Sequence, residues 1–106
     1  MAWWFLSLAI VLEITGTFLL KLSDGFEKWH WGVLSILCYA LCFWALAPAL
    51  KVLPVGLAYA IWAGVGVIGA SALGYLVFGD DLSWFQYLFI LMILIGAVGL
   101  RFTARG

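Results

Sequence analysis

The chain has 106 residues, of which 68% are hydrophobic and 9% are charged, and its formal net charge is +0. A soluble domain carries about a quarter of its residues as charged side chains, so this composition excludes an ordinary water-soluble fold and favours a membrane protein. The balanced charge gives no electrostatic basis for binding nucleic acid, and the length allows a single domain.

Four apolar stretches follow one another along the chain, separated by clusters of charged and turn-forming residues. They cover residues 3–20, 31–50, 57–78 and 84–102. As α-helices these stretches would be about 27 to 33 Å long, which matches a hydrocarbon core of about 30 Å. None of them alternates in polarity as the strands of a membrane barrel must. The sequence therefore predicts an all-α membrane protein, one domain over residues 1–106 with four transmembrane helices.

The connections between these stretches contain residues that are typical of turns. Gly25 in the first connection can adopt a positive φ. Pro54 and Gly56 interrupt the backbone in the second connection. Ser83 or Asp81 can cap the start of the fourth helix. Short loops between antiparallel helices are therefore expected.

The first apolar stretch contains one acidic residue, Glu13, near its middle. No Lys, Arg or His lies in the centre of any predicted span, so an ionised carboxylate there has no cationic partner and the neutral form is favoured. Such a group binds either a proton or an organic cation, and each ligand displaces the other, which is the thermodynamic basis of antiport. A buried structural acid is the alternative. Enzyme activity is not expected, because no nucleophile or base stands nearby.

The residues one helical turn from Glu13 are mostly small. Gly16 and Thr17 follow it and Ala9 precedes it, so a ligand or another helix can approach the carboxylate closely. Packing between membrane helices also favours small residues and would explain Ala9 and Gly16 equally well. Gly16 and Thr17 are predicted to contribute to the substrate site.

Aromatic side chains in two other spans are further candidates for substrate binding. Tyr59 and Trp62 are three residues apart in the third span, and Tyr39 lies in the second. Their rings can attract a cation, and tyrosine can also donate a hydrogen bond to a carboxylate. Ordinary aromatic packing is an equally good explanation of the spacing. Gly64 and Gly66 weaken the third helix and are predicted to allow a bend during alternating access.

The remaining polar residues and thiols suggest no metal site and no cofactor. Cys38 and Cys42 lie four residues apart on one helix, where disulfide geometry is rare, and are interpreted as apolar filler. His30 is expected at the membrane interface. The acidic residues of the connections are expected to solvate loops or cap helices: Asp24, Glu27, Asp80 and Asp81.

The basic residues indicate the orientation only weakly. With four spans, the termini share one side with Lys51, Arg101 and Arg105, and the other side has Lys21 and Lys28. Such a chain can insert in both orientations, which would permit a dimer of oppositely oriented copies, although a single orientation fits the counts as well. Because four helices barely surround a solute, the site is expected to form between protomers.

Taken together, these residues resemble the small multidrug resistance transporter family over essentially the whole chain. Glu13 in the first span carries part of the resemblance. The other matching motifs are Lys21-Leu-Ser-Asp-Gly-Phe26, Pro54-Val-Gly-Leu-Ala-Tyr-Ala-Ile-Trp62 and Gly64-Val-Gly66. Each motif is weak alone, but the combination is specific.

The resemblance implies an antiparallel, dual-topology homodimer in the bacterial inner membrane. It also implies exchange of protons for lipophilic aromatic or quaternary ammonium cations. By matching position, Glu13 carries the proton and the cation, and Tyr59 and Trp62 line the site. Tyr39 and the pair Gly16-Thr17 resemble the multidrug branch of the family.

Other substrates and assemblies remain open from the sequence. The stretch Ile10-Val-Leu-Glu-Ile14, with Ser23-Asp-Gly-Phe26, resembles the paired polyamine-exporting members of the family. Export of guanidinium or polyamines, or a role as one subunit of a heterodimeric transporter, is therefore the alternative. A membrane subunit that packs against a partner without transporting is a third hypothesis.

Overall fold

The computed structural model describes residues 1–103, so Arg105 and its part in the charge comparison lie outside the described residues. The described chain forms four helices and no strand: α1 (Ala2–Leu22), α2 (Trp29–Leu50), α3 (Val55–Phe78) and α4 (Trp84–Thr103). Each helix is long and apolar enough to cross a membrane. The predicted fold class, an all-α protein with four transmembrane helices, is confirmed.

The helix α1 occupies the centre of the packing. It lies along α2 and also contacts α3, and the backbone of α4 approaches only α3 among the described helices. The buried core contains five small residues with 0% exposure, and four of them belong to α1 and α2: Ala9, Cys42, Ala45 and Ala49. Small side chains allow membrane helices to approach closely, which is why α1 and α2 form a tight seam. Both cysteines are free thiols.

Hydrogen bonds of one serine shape the connection between α1 and α2. Ser23 is completely buried, and its hydroxyl donates to the carbonyl oxygen of Leu20 at 2.6 Å and accepts the Phe26 N–H at 3.1 Å. The positive φ predicted for Gly25 is confirmed at 67°, and Asp24 and Phe26 also have positive φ values of 52° and 70°. Three consecutive residues with positive φ therefore form this turn, where the sequence suggested one glycine.

The connection between α3 and α4 returns the chain over the end of α3. Gly79 ends α3 with a left-handed conformation, and the next N–H, that of Asp80, donates to the Gly74 carbonyl oxygen at 2.9 Å. The start of α4 has a reciprocal cap: the Ser83 N–H donates to Gln86 Oε1 at 2.8 Å, and the Gln86 N–H donates to Ser83 Oγ at 3.3 Å. The predicted cap by Ser83 is confirmed.

Candidate cation-binding site around Glu13

The carboxylate of Glu13 lies against the backbone of α3. A Cβ atom added to Gly66 would lie 2.6 Å from Glu13 Oε2, closer than real side-chain contacts allow. Gly66 is buried at this crossing of α1 and α3. Glycine therefore leaves the space that the carboxylate occupies.

The two carboxylate oxygens have different environments. Glu13 Oε1 accepts a long hydrogen bond of 3.4 Å from the Thr17 hydroxyl, and the Thr17 and Tyr39 hydroxyls are 2.7 Å apart. Glu13 Oε2 is buried and has no hydrogen-bond partner among the described residues. A buried polar atom without a partner is costly, and the cost is larger when the atom is charged. The arrangement therefore leaves one oxygen able to take a proton or an ammonium group.

Two of the aromatic residues predicted to bind substrate, Tyr59 and Trp62, extend from α3 to the region beside Glu13. The ring centroids of Tyr59 and Trp62 are 5.4 Å apart at an angle of 70°, and Phe43 of α2 lies 6.3 Å from Trp62. A cavity of about 280 Å³ is lined by Glu13, Thr17, Tyr59, Trp62, Ala63, Gly66, Val67 and Ala70. The structure thus brings together the acid, the threonine and two of the three predicted rings.

Tyr39 and Gly16 lie beside this cavity and do not line it. A Cβ atom at Gly16 would lie 3.3 Å from both Cys38 Cβ and Tyr39 Cε1, so Gly16 faces the seam with α2. Tyr39 reaches the site through its contact with Thr17. Sequence reasoning missed Ser35, which is fully buried and donates to the Gly16 carbonyl oxygen at 2.8 Å. A serine inside an apolar span was the available signal.

The two glycines predicted to bend α3 make different contacts. The helix is continuous from Val55 to Phe78 and passes through both. Gly64 faces α4, where an added Cβ atom would lie 3.2 Å from Ala97 Cβ and 3.3 Å from Ile93 Cγ2. Gly66 faces Glu13. A bend at these glycines during transport stays a prediction.

The groove between α1 and α3 continues from Glu13 towards the α3–α4 connection. A second cavity of about 110 Å³ shares Thr17 and Ala70 with the first. Its outer end is formed by three side chains from the two helices and the connection: Lys21, Phe78 and Asp80.

Two contacts describe this outer end of the groove. The ammonium of Lys21 lies 5.8 Å from the centre of the Phe78 ring, and the Phe18 and Phe78 rings are 5.5 Å apart. The carboxylate of Asp80 lies against the backbone of α3. A Cβ atom added to Gly74 would lie 2.5 Å from Asp80 Oδ2. Asp80, expected only to solvate the loop or cap a helix, thus lines the groove. The sequence signal was the Gly79 turn, which returns the next residue over Gly74.

Comparison with known proteins gives a consistent result over nearly the whole chain. Residues 1–94 match the family described as Small Multidrug Resistance protein. Among similar curated proteins is the spermidine export protein MdtI of Salmonella paratyphi A, 40% identical over 96% of this chain and 92% of the relative. The MdtI protein of Yersinia enterocolitica is 37% identical over 93% and 91%. The uncharacterized membrane protein YvdR of Bacillus subtilis is 38% identical over 98% of both chains.

Proposed function

The chain belongs to the small multidrug resistance family, and on that basis we propose that it exports organic cations in exchange for protons, with Glu13 as the shared binding site. Family membership makes it a multi-pass protein of the bacterial inner membrane, and named relatives in this family are export proteins. The proposal adds that Glu13 couples cation export to proton uptake, and that it does so by binding the two ligands in competition.

The buried oxygen of Glu13 is the observation that carries this proposal. Glu13 Oε2 has no hydrogen-bond partner among the described residues, although it borders a cavity. A proton satisfies this oxygen by converting the acid to its neutral form, and a cation satisfies it by pairing with the ionised form. The two ligands require different states of one group, so binding of either weakens binding of the other.

Two classes of cation have specific support. Tyr59 and Trp62 place aromatic rings beside the carboxylate, which favours lipophilic aromatic or quaternary ammonium cations through cation–π attraction. Two of the relatives are named spermidine export proteins, which favours polyamines. Guanidinium is the remaining cation of the sequence hypothesis.

The transporting unit in this proposal is a dimer of oppositely oriented copies. One chain leaves the cavity open, since the side chain of Tyr59 is 60% exposed. Among the described residues, Lys21 and Lys28 lie on one side and Lys51 and Arg101 on the other, so the positive-inside rule gives little preference. Assembly with a different chain of the same family is the alternative.

Proton release from the purified protein tests the proposal. Tetraphenylphosphonium, spermidine or guanidinium is added to detergent-solubilised protein in weak buffer, and the released protons are counted. We expect release from the wild type and from the control Glu27→Gln, an exposed loop acid, and no release from Glu13→Gln. Undiminished release from Glu13→Gln would remove Glu13 from the mechanism. Failure of all three cations to release protons from the wild type would contradict a homomeric exporter.

A further inference from the structure

We infer that Asp80 forms a second ammonium-binding site at the outer end of the α1–α3 groove, so that one linear polyamine binds with its two ends at Glu13 and Asp80. The inference rests on the proposed function and specifies the substrate class for it. It concerns the outer part of the groove, which Glu13, Tyr59 and Trp62 do not line.

Both carboxylates lie against glycines of α3. An added Cβ atom would lie 2.6 Å from Glu13 Oε2 at Gly66 and 2.5 Å from Asp80 Oδ2 at Gly74. These glycines are eight residues apart in a helix that rises 1.5 Å per residue, so the two acids are about 12 Å apart along the helix axis. Ala70 lies between the two glycines and borders both cavities.

The wall between the two acids suits a methylene chain. Thr17 and Ala70 border both cavities, so the two cavities adjoin along the groove between the acids. Ile14, Phe18 and Leu73 make the outer part of the wall apolar. A ligand that fits this groove is positively charged at both ends and has methylene segments between them.

The length of the groove selects among such ligands. Spermidine and diaminooctane both have nine single bonds between their terminal nitrogens, which span about 11 Å when extended. Each terminal nitrogen lies about 2.8 Å from the oxygen that it pairs with, so both ligands are long enough to bridge acids about 12 Å apart. Diaminoethane has three such bonds and spans about 4 Å, so even with both contacts it falls short of the second carboxylate. Octylamine and tetraphenylphosphonium carry one charge and can pair with Glu13 alone.

Lys21 provides the competing cation at the outer site. Its ammonium lies 5.8 Å from the centre of the Phe78 ring, at the same end of the groove as Asp80. An incoming ammonium group would compete with Lys21 for the Phe78 ring and pair with the Asp80 carboxylate at this end of the groove. Because Asp80 is exposed, its pairing with a ligand is screened, and we expect it to strengthen binding by about twofold to fivefold.

Binding of a ligand series to matched variants tests the inference. The affinities of spermidine, diaminooctane, diaminoethane and octylamine are measured by competition with proton binding for the wild type, Asp80→Asn and Asp81→Asn. Asp81 has the same charge and neighbours Asp80 in sequence, but it does not line the groove. We expect Asp80→Asn to weaken spermidine and diaminooctane by about twofold to fivefold and to leave diaminoethane and octylamine unchanged. Asp81→Asn should leave all four unchanged, and Lys21→Gln should strengthen spermidine.

The outcomes separate this inference from the proposed function. Unchanged octylamine binding shows that a variant is folded and that Glu13 still works. An equal loss for octylamine and diaminooctane in Asp80→Asn, or equal effects of the two aspartate variants, would overturn the second site and leave the Glu13 mechanism intact. The absence of any effect of Asp80→Asn would also overturn it, as expected if a dimer holds the polyamine between two Glu13 carboxylates. Failure of every cation to bind the wild type would instead overturn the proposed function.

Discussion

Replacement of Gly66 by alanine is the sharpest test of where the Glu13 carboxylate lies. The added Cβ atom would lie 2.6 Å from Oε2, whereas ordinary contact requires about 3.5 Å. The carboxylate must therefore move by about 1 Å, since it is the free end of a flexible side chain and the helix backbone is held on both sides. The substitution moves the functional group without removing it.

The expected effect is large on binding and small on folding. A displacement of about 1 Å at a site that depends on geometry weakens function by up to about a hundredfold, so cation binding should fall by about tenfold to a hundredfold. Alanine is favoured over glycine inside a helix by about 0.5 to 1 kcal/mol, so the free energy of unfolding should not fall greatly. The variant should remain folded while its site is displaced.

Cation-driven proton release and equilibrium binding measure the effect, with Gly64→Ala as the control. Gly64 lies in the same helix, and its added Cβ atom would contact Ala97 and Ile93 of α4 instead of Glu13. We expect the control to bind cations with nearly the wild-type affinity. Wild-type affinity and proton release in Gly66→Ala would refute the placement of the carboxylate against α3.

Three further predictions follow from the same contacts. Cation binding by the wild type should strengthen by up to about tenfold per pH unit as pH rises, because each cation displaces a proton from Glu13; a flat titration profile would contradict this competition. Tyr39→Phe should lower the free energy of unfolding in a detergent titration by about 1 kcal/mol, since it removes the hydroxyl 2.7 Å from Thr17, and unchanged stability would argue against that pairing. Ser35→Ala should lower it by about 0.6 to 1.7 kcal/mol by removing a hydrogen bond between helices. Ser7→Ala is the control, because that hydroxyl bonds within α1, and equal losses in both variants would contradict a role for Ser35 between helices.

The sequence predicted the helices and the acid well because both depend on local properties. Apolar runs of membrane-spanning length have only one stable backbone arrangement in lipid when they do not alternate in polarity. Glu13 stands out because it is the acid inside a span, whatever its neighbours are. Neither conclusion requires knowledge of how the helices face one another.

The directions of individual side chains could not be predicted in the same way. Gly64 and Gly66 are two residues apart and point to nearly opposite sides of α3, and nothing in the sequence says which side faces α1. Gly16 and Thr17 are adjacent, yet Gly16 packs on α2 and Thr17 borders the cavity. Asp80 was assigned to a solvated loop, because its return over α3 depends on the conformation of the turn. The antiparallel dimer stays a prediction.

The tight seam between α1 and α2 divides the chain into regions with different freedom to vary over evolutionary time. Positions that no other helix of the chain covers, such as Ile95 at 63% exposure, are less restricted in shape as long as the side chain is apolar. Ala9, Ala45 and Ala49 have no exposed surface, so even one extra methyl group there would push the two helices apart. Among related proteins, substitutions should therefore accumulate on the exposed apolar surface. The alanines at the contact between the first two helices should change most slowly.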